Sequence, residues 1–232
     1  MHVDPFVRWT ALRNALAAVM LLSIALGGDE LRVARAEETA IMLSPPRATG
    51  AMSLEQALAT RRSNRAFASR PVSTGDVGQL CWAAQGITGG ASGQRTAPSA
   101  GALYPLEIYV VLTRGVFRYE PGGHRLTLVR DGDRRDELAR AALDQDVVRQ
   151  AGVDMVITAV TERTRAKYGA RAERYATLEA GHAAQNVLLQ AAALGLAAVP
   201  VGAFDDAAVR GVVGASAEEL PLYVVPIGAK AP

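Results

Sequence analysis

The sequence predicts an α+β protein in which helices cover a β-sheet. Apolar runs of strand length alternate with amphipathic segments of helical length, and two of the strand-like runs flank a short turn as a hairpin. The chain has 232 residues, 50% of them hydrophobic, which is enough for one core of good size. We therefore expect a single folded domain, without internal repeats or low-complexity tracts.

The N-terminal region is predicted to precede that domain. Arg8 and Arg13 lie before an uncharged apolar run over residues 15–26, and Ala34-Arg-Ala36 offers the small residues that signal peptidases prefer. The run is shorter than the roughly 20 residues that span a bilayer as a helix. We assign residues 1–36 to a signal peptide, or to an N-terminal membrane anchor, and expect an exported protein.

Two further boundaries follow from the next residues. Residues 37–52 include two prolines and show no helical or strand period, so they are predicted to form a linker to a domain of residues 53–232. Met52 is an alternative translation start. A chain that begins there would be cytoplasmic.

Capping residues mark three helix starts. Ser53 with Gln56 forms a capping box, which predicts a short helix that ends close to residue 61. Ser73 begins a second helix, with Gly86 as its stop. Asp205 caps a short last helix.

Two more helices are predicted from periodicity, over residues 134–143 and 172–194. Apolar residues cover more than one face of the longer helix, which indicates that it is buried or lies at a subunit interface. The single cysteine, Cys81, lies in an apolar stretch, so we expect a buried structural thiol and no disulfide.

The predicted strands are short and mostly apolar. Residues 153–160 form a near-continuous apolar run, which is typical of a central strand covered on both sides. The hairpin turn is Pro-Gly-Gly-His at residues 121–124. The other strands are predicted at residues 106–113, 116–119, 126–129, 196–201 and 222–227.

A candidate phosphate site follows the first helix. Arg61, Ser63 and Arg65 alternate, so an extended chain would direct all three to one side. Two guanidinium groups with a hydroxyl between them suit a phosphate, because each guanidinium can donate paired hydrogen bonds. The alternative is a solvated basic helix end.

Two glycine-containing segments are candidates for contact with a flat ligand. Residues 98–105 form a turn-rich segment in which Gly101 would allow close backbone approach, unless they form an ordinary loop. The strand after Gly195 is broken at Pro200 and Gly202, which predicts backbone N–H groups that the sheet leaves unpaired. Lys230 is either a further cation for the phosphate or part of a frayed tail.

These segments together resemble the nitroreductase family, and specifically its SagB-type dehydrogenase branch. The resemblance rests on Arg-Arg-Ser-x-Arg, Pro-Ser-Ala-Gly-Ala-Leu-Tyr-Pro, Glu-Ala-Gly-His-x-Ala-Gln-Asn and Gly-Leu-x-Ala-Val-Pro-Val-Gly, and it covers residues 53–230. It implies a nitroreductase-like α+β fold with a central, mainly antiparallel sheet covered by helices. It also implies a homodimer with two FMN molecules at the subunit interface.

The resemblance assigns roles to individual residues. The phosphate and ribityl chain of FMN would be held by Arg61, Arg62, Ser63 and Arg65, with Lys230 assisting at the phosphate. The ring would be bordered by Pro98, Ser99 and Gly101. The amides of Val201 and Gly202 would face N5 and O4, where a donor also tunes hydride chemistry.

Lys167 and Tyr168 resemble a pair that serves proton transfer in azoline-oxidising members of the family. The competing interpretation is solvated charge, since the pair lies in a basic stretch that runs from Arg163 to Arg174. We expect no metal site, because the sequence has no set of His, Cys or carboxylate residues at ligand spacing. We also expect no nucleic-acid partner, since the net charge is only +2.

The expected activity is therefore FMN-dependent oxidation and reduction of a small-molecule or peptide substrate, with NAD(P)H as a candidate electron donor. NAD(P)H is not freely available outside the cytoplasm, so an exported member would pass electrons from its substrate to oxygen, a quinone or a partner protein. Two alternatives stay open. One is a flavin-binding module without turnover, and the other is a partner subunit of a peptide-modifying complex.

Overall fold

The computed structural model describes residues 40–90 and 93–231. The predicted signal peptide or anchor, residues 1–36, lies outside the described residues. Within the described part of the chain, no helix has both the length and the apolar character needed to cross a bilayer.

An open sheet of eight strands forms the centre of the fold. Its order is β1-β5-β4-β3-β6-β8-β2, with β7 paired to β8 beside this path. All pairings among the seven strands from β2 through β8 are antiparallel. The strands are β1 Ala40–Met42, β2 Phe67–Ala68, β3 Leu106–Leu112, β4 Gly115–Glu120, β5 Arg125–Asp131, β6 Val153–Val160, β7 Leu196–Ala198 and β8 Glu219–Lys230.

Helices cover both faces of this sheet, as the predicted fold class requires. They are α1 Leu54–Thr60, α2 Thr74–Gln85, α3 Arg135–Ala141, α4 Asp146–Arg149, α5 Glu162–Tyr168, α6 Ala172–Ala193 and α7 Asp206–Val213. The predicted N-caps are confirmed: the side chains of Ser53, Ser73 and Asp205 each accept a backbone N–H in the first turn. The helices α4 and α5 were not predicted.

The hydrophobic core has two parts, one on each face of the sheet. Apolar side chains of α2 and α6 pack with one face, and this part includes Cys81, which is fully buried as predicted. Side chains of α3 and α7 pack with the other face. Strand β6 contributes to both parts, because Met155 and Val156 point to opposite faces, so the prediction of a central strand over residues 153–160 is confirmed.

Strand β6 also places one carboxyl group inside this core. Asp154 is fully buried, and neither of its side-chain oxygens has a hydrogen-bond partner. Burial raises the pKa of Asp154 well above its ordinary value, and the nearby charge of Arg135 opposes that shift only in part. Burial therefore favours the neutral form of this side chain.

The described part of the predicted linker, residues 40–52, packs against the domain. Leu43 belongs to the core, and its N–H donates to the carbonyl of His124 at 3.1 Å. The backbone N–H of Arg47 donates to the Oε1 of Gln79 at 2.8 Å, and the Gln79 Nε2 donates back to the Arg47 carbonyl at 3.0 Å. The sequence shows no period here because only isolated side chains enter the core, while the backbone is held by partners far along the chain.

The last strand is longer than predicted, because it pairs with three others. Its residues 219–227 pair with β6, and its residues 227–230 pair with β7 and β2. Lys230 lies opposite Phe67 in this ladder. The alternative of a frayed tail at Lys230 is therefore wrong.

Candidate cofactor and substrate site

A cavity of about 330 Å3 brings together three of the predicted cofactor-binding residues. Arg61, Arg62 and Lys230 line it, together with Asn64. Its apolar wall comes from the end of α6 and from β7. Lys230 lies about 170 positions after the two arginines in the sequence, and only the tertiary structure makes it their neighbour.

Local backbone pairing positions the two arginines. Arg61 ends α1 in an extended conformation, with φ −55° and ψ 126°. The chain then runs beside β7, where Ser63 forms a parallel bridge with Ala198 and the N–H of Asn64 donates to the Ala198 carbonyl at 3.1 Å. Because β7 and β2 both pair with the end of β8, the same ladder places Lys230 at the cavity.

The cavity is electropositive. No carboxylate lines it, and none of its three cations forms an ion pair within the described residues. Arg62 donates to the carbonyls of Ala59 and Arg61, which satisfies carbonyl groups at the end of α1. Three unpaired cations in one cavity favour an anion such as a phosphate.

The predicted alternation along the basic motif is only partly reproduced. Ser63 and Arg65 are exposed and do not line the cavity, whereas Asn64 does. Arg62 and Asn64 lie on the cavity side because the bridge between Ser63 and Ala198 sets the direction of the chain after Arg61. Sequence reasoning missed Asn64, although it lies inside the motif.

The turn over residues 98–105 has an unusual backbone. Gly101, Ala102 and Tyr104 have φ values of 64°, 55° and 46°. This left-handed region favours glycine and costs other residues free energy, so other contacts must stabilise the turn. Ser99 supplies two of them, because its hydroxyl accepts the Tyr104 N–H at 2.9 Å and its carbonyl accepts the Ala102 N–H at 3.0 Å.

Lys167 and Tyr168 both lie against this turn. A Cβ built on Gly101 would lie 2.8 Å from the Nζ of Lys167 and 3.0 Å from the hydroxyl of Tyr168. Tyr168 also packs edge to face with Tyr175, with ring centroids 4.9 Å apart. The structure thus places Lys167 and Tyr168 next to the turn that carries Gly101, more than 60 residues away in sequence.

Glu179 supports the same turn from α6 and was missed as a site residue. Its side chain is 4% exposed, and its Oε1 accepts the Ala100 N–H at 2.8 Å. Burial raises the pKa of Glu179, while hydrogen bonds from the Ala100 backbone and the Ser99 side chain oppose the shift. Glu179 begins the Glu-Ala-Gly-His motif, which was the available sequence signal.

A second cavity, of about 320 Å3, adjoins the turn. Pro98 and Ser99 line it from the turn, and Glu179 and His182 line it from α6. None of the residues that line this cavity lines the electropositive one. In a single chain, the predicted phosphate and ring residues therefore lie at separate cavities.

The predicted amide pair after β7 requires a correction. The N–H of Val201 donates to the Val224 carbonyl at 2.8 Å, and Val201 is 5% exposed. The break in β7 does not free this amide, because Val201 rejoins β8 through an isolated bridge. Gly202 is exposed and, among the described residues, its N–H has no hydrogen-bond partner. Of the two predicted amides, only that of Gly202 is therefore free to bind a ligand.

Comparison with known proteins identifies the family of the chain. The family model described as the nitroreductase family matches residues 58–229 of the 232. The chain belongs to the nitroreductase family. A provisionally named nitroreductase of Methanocaldococcus jannaschii is 42% identical over 183 residues, which covers 76% of this chain and 91% of the relative.

Two solved structures of the same family show the likeness of fold. A provisionally named nitroreductase from Ralstonia eutropha JMP134 superposes with a TM-score of 0.76 at 31% identity, covering 84% of this chain and 90% of the other. Another from Desulfovibrio desulfuricans, solved in complex with FMN, has a TM-score of 0.59 at 25% identity, covering 77% and 87%. The α+β fold with a mainly antiparallel sheet is therefore that of the nitroreductases.

Proposed function

We propose that this nitroreductase-family protein is an FMN-dependent oxidoreductase of the SagB-type dehydrogenase branch, which works as a homodimer. The observation that carries the proposal is the cavity at which Arg61, Arg62 and Lys230 meet without a carboxylate. The FMN complex of the Desulfovibrio relative supports the choice of cofactor.

The donor set fits the phosphate of FMN. Arg61 and Arg62 offer planar guanidinium groups for paired hydrogen bonds, and Lys230 adds a point charge. Ser63 and Arg65 lie in the same segment, exposed to solvent outside the cavity lining, and are proposed as additional donors to the phosphate. The chain thus supplies neutralising charge at one end of the cofactor.

The ring would be bordered by Pro98, Ser99 and Gly101. The absence of a side chain at Gly101 leaves its Cα exposed next to the Lys167 ammonium and the Tyr168 hydroxyl. The exposed N–H of Gly202 is the remaining candidate donor to the ring. Bound FMN would supply hydride acceptance and donation, and the protein would supply binding and orientation.

Lys167 and Tyr168 are proposed to hold and move a proton at the substrate. Both polar tips lie at one glycine, and the Lys167 Nζ lies 5.5 Å from the centroid of the Tyr168 ring. Arg163 and Arg165 of the same basic stretch differ from this pair, since they form ion pairs with Glu107 and Glu162.

A second copy of the chain is the proposed partner. Between Glu179 and Asp205 the sequence has no Asp, Glu, Lys or Arg, and α6 nevertheless exposes Leu178, His182 and Gln185. After Arg174 the exposed face of α6 therefore lacks charge, which is typical of a subunit interface. The proposed dimer would bring the two cavities of different chains together around one cofactor.

The electron donor and the compartment belong to the same proposal. NAD(P)H is the candidate donor for a cytoplasmic protein, whereas an exported protein would oxidise a small-molecule or peptide substrate and pass electrons onward. The predicted signal peptide favours export. The mass of the N-terminal peptide of the native protein distinguishes a chain that begins at Glu37 from one that begins at Met52.

The decisive experiment measures flavin content. Arg61→Ala with Lys230→Ala is expected to weaken FMN binding by at least tenfold, since each charge-assisted hydrogen bond contributes about 1.5–3 kcal/mol. Arg70→Ala, which removes an exposed arginine outside the cavity, is the matched control. Equal absorbance at the flavin bands in both variants would refute the phosphate assignment.

Addition of NADH under anaerobic conditions then tests turnover. Bleaching of the flavin bands supports a reductase. Persistent bands favour an oxidase that takes electrons from another donor, or the alternative of a flavin-binding module without turnover. Replacement of Arg171 and Arg174 by Ser tests the other alternative, because loss of a partner protein with flavin retained would indicate a subunit of a peptide-modifying complex.

A further inference from the structure

A third cavity, of about 400 Å3, lies where the β3–β4–β5 hairpins meet the loop before residue 98. Arg95, Arg118 and Arg163 line it, with Glu107 and Glu120 as the acidic residues. None of its lining residues lines the electropositive cavity or the cavity beside Glu179. The nitroreductase chemistry proposed above does not use these residues.

The charges of this cavity are unbalanced. The Nη2 of Arg163 lies 2.5 Å from the Oε1 of Glu107, so these two charges compensate each other. Arg95 is half-buried and forms no ion pair within the described residues. Burial lowers the pKa of Arg95 and the charge of Arg163 adds to this effect, while Glu107 opposes it.

Neutral groups fix the Arg95 side chain in place. Its Nη1 donates to the Oε1 of Gln85 at 3.0 Å, and its guanidinium lies 4.5 Å from the centroid of the Tyr104 ring. A half-buried guanidinium held by an amide and a ring retains N–H groups for a further acceptor, since arginine has five of them. The arrangement preorganises a donor that forms no ion pair with any described residue.

The other acidic residue does not supply that partner. Both carboxylate oxygens of Glu120 accept hydrogen bonds, one from Arg125 and the other from Thr127. Arg118 is exposed and forms no ion pair in the described part of the chain. The cavity therefore has an excess of positive charge.

We propose that this cavity is a binding site for a small anionic group, a carboxylate or a phosphate. The unpaired charge of Arg95 would hold it, together with N–H groups that Arg163 does not give to Glu107 or to the Tyr104 carbonyl. Arg163 lies one helical turn before Lys167 on α5, about 6 Å along the axis, and on the same side of the helix. It also donates to the Tyr104 carbonyl at 3.2 Å, at the end of the turn that carries Gly101. An anionic group bound here is thus adjacent to the proposed proton-transfer pair.

Two sources of the anion are consistent with this chemistry. The anion is either a free metabolite or the charged end of the substrate itself. The second source rests on the proposed function, and the first does not. The experiment therefore begins with binding and treats turnover separately.

Binding is measured by calorimetric titration with succinate and with inorganic phosphate. The protein carries Arg61→Ala and Lys230→Ala, so that the electropositive cavity does not take up the probe. Adding Arg95→Gln or Arg163→Gln is expected to weaken binding by about 10- to 100-fold. Arg95→Lys keeps the charge and is expected to restore part of the affinity, whereas Arg70→Gln should have no effect.

Two results would overturn the proposal. One is saturable binding of equal affinity in the Arg95→Gln, Arg163→Gln and Arg70→Gln proteins, and the other is no binding of either probe at millimolar concentration. Unfolding midpoints of the variants are recorded in parallel, and Arg95→Lys provides the comparison if Arg95→Gln is destabilised. These readouts do not depend on flavin or on turnover.

The source of the anion is then tested by comparing the flavin-loaded parent protein with its Arg163→Gln variant. A substrate role predicts that Arg163→Gln raises the KM for 4-nitrobenzoate about tenfold but leaves the KM for neutral 4-nitrobenzamide unchanged. A free metabolite predicts that both KM values stay unchanged in Arg163→Gln, although its succinate binding is weakened. An equal rise in KM for both substrates, together with unchanged succinate binding, would contradict the proposal that Arg163 binds an anion.

Discussion

Replacement of Glu179 by alanine is expected to loosen the turn that carries Gly101. The carboxylate is almost fully buried and holds the N–H of Ala100 at 2.8 Å. The turn contains Ala102 and Tyr104 with positive φ, a conformation that costs each of them roughly 1–2 kcal/mol. Ser99 offsets part of this cost through two hydrogen bonds, and Glu179 supplies the hydrogen bond to the turn from α6.

The magnitude follows from the lost hydrogen bond. An N–H that loses its partner in a half-buried position costs about 1–3 kcal/mol. A protein of this size loses about 2–4 °C in Tm for each kcal/mol, so Glu179→Ala should lower the Tm by roughly 2–12 °C. Glu179→Gln keeps an acceptor oxygen for Ala100 and should remain within about 1 kcal/mol of the parent.

The pH dependence separates the charge from the hydrogen bond. The pKa of Glu179 is raised in the folded state, so ionisation opposes folding above its ordinary value of 4.5. The stability of Glu179→Gln relative to the parent should therefore rise between pH 4.5 and pH 8. Urea unfolding at several pH values measures this difference.

The spectrum of bound flavin provides the functional measurement. If the turn borders the ring, Glu179→Ala should shift the flavin absorption bands, and Glu179→Gln should leave them in place. The reasoning would be refuted by equal stability of the alanine variant and the parent, or by a glutamine variant as unstable as the alanine variant.

Three further predictions concern the core, the interface and the N-terminus. Asp154→Asn should match the parent near pH 4 and exceed its stability increasingly up to pH 8, since the pKa of Asp154 is raised and its ionisation opposes folding; a pH-independent difference in urea unfolding would contradict this. Leu178→Glu should shift the proposed dimer towards monomer in analytical ultracentrifugation, because Leu178 is 53% exposed on α6. A chain that begins at Met52 should be less stable than one that begins at Ala40 by about 2 kcal/mol or more, since Leu43 leaves the core; equal urea midpoints would show that the N-terminal segment adds nothing.

Local features of the fold could be predicted from the sequence. The N-caps at Ser53, Ser73 and Asp205 are formed as predicted, because a cap bonds to an N–H only three residues away. The central strand β6 was predicted with its observed bounds, because a strand covered on both faces needs an unbroken apolar run. The composition of the basic motif predicted an anion site near Arg61.

The arrangement of the site depended on contacts between distant segments. The Val201 amide is engaged by Val224, and no local pattern shows which amide a distant strand will pair. Glu179 meets Ala100, and Lys167 meets Gly101, across about 80 and 66 positions of the chain.

The sequence by itself therefore determined which groups are available: the helices, the central strand, the cations and the glycine at which the chain turns. Tertiary structure alone decided which of these groups meet, because pairing along β8 brings Lys230 to Arg61 and leaves Arg65 at the surface. The physical reason is that capping and periodicity act within one or two helical turns, whereas a binding site is assembled by strand register and helix packing over the whole chain.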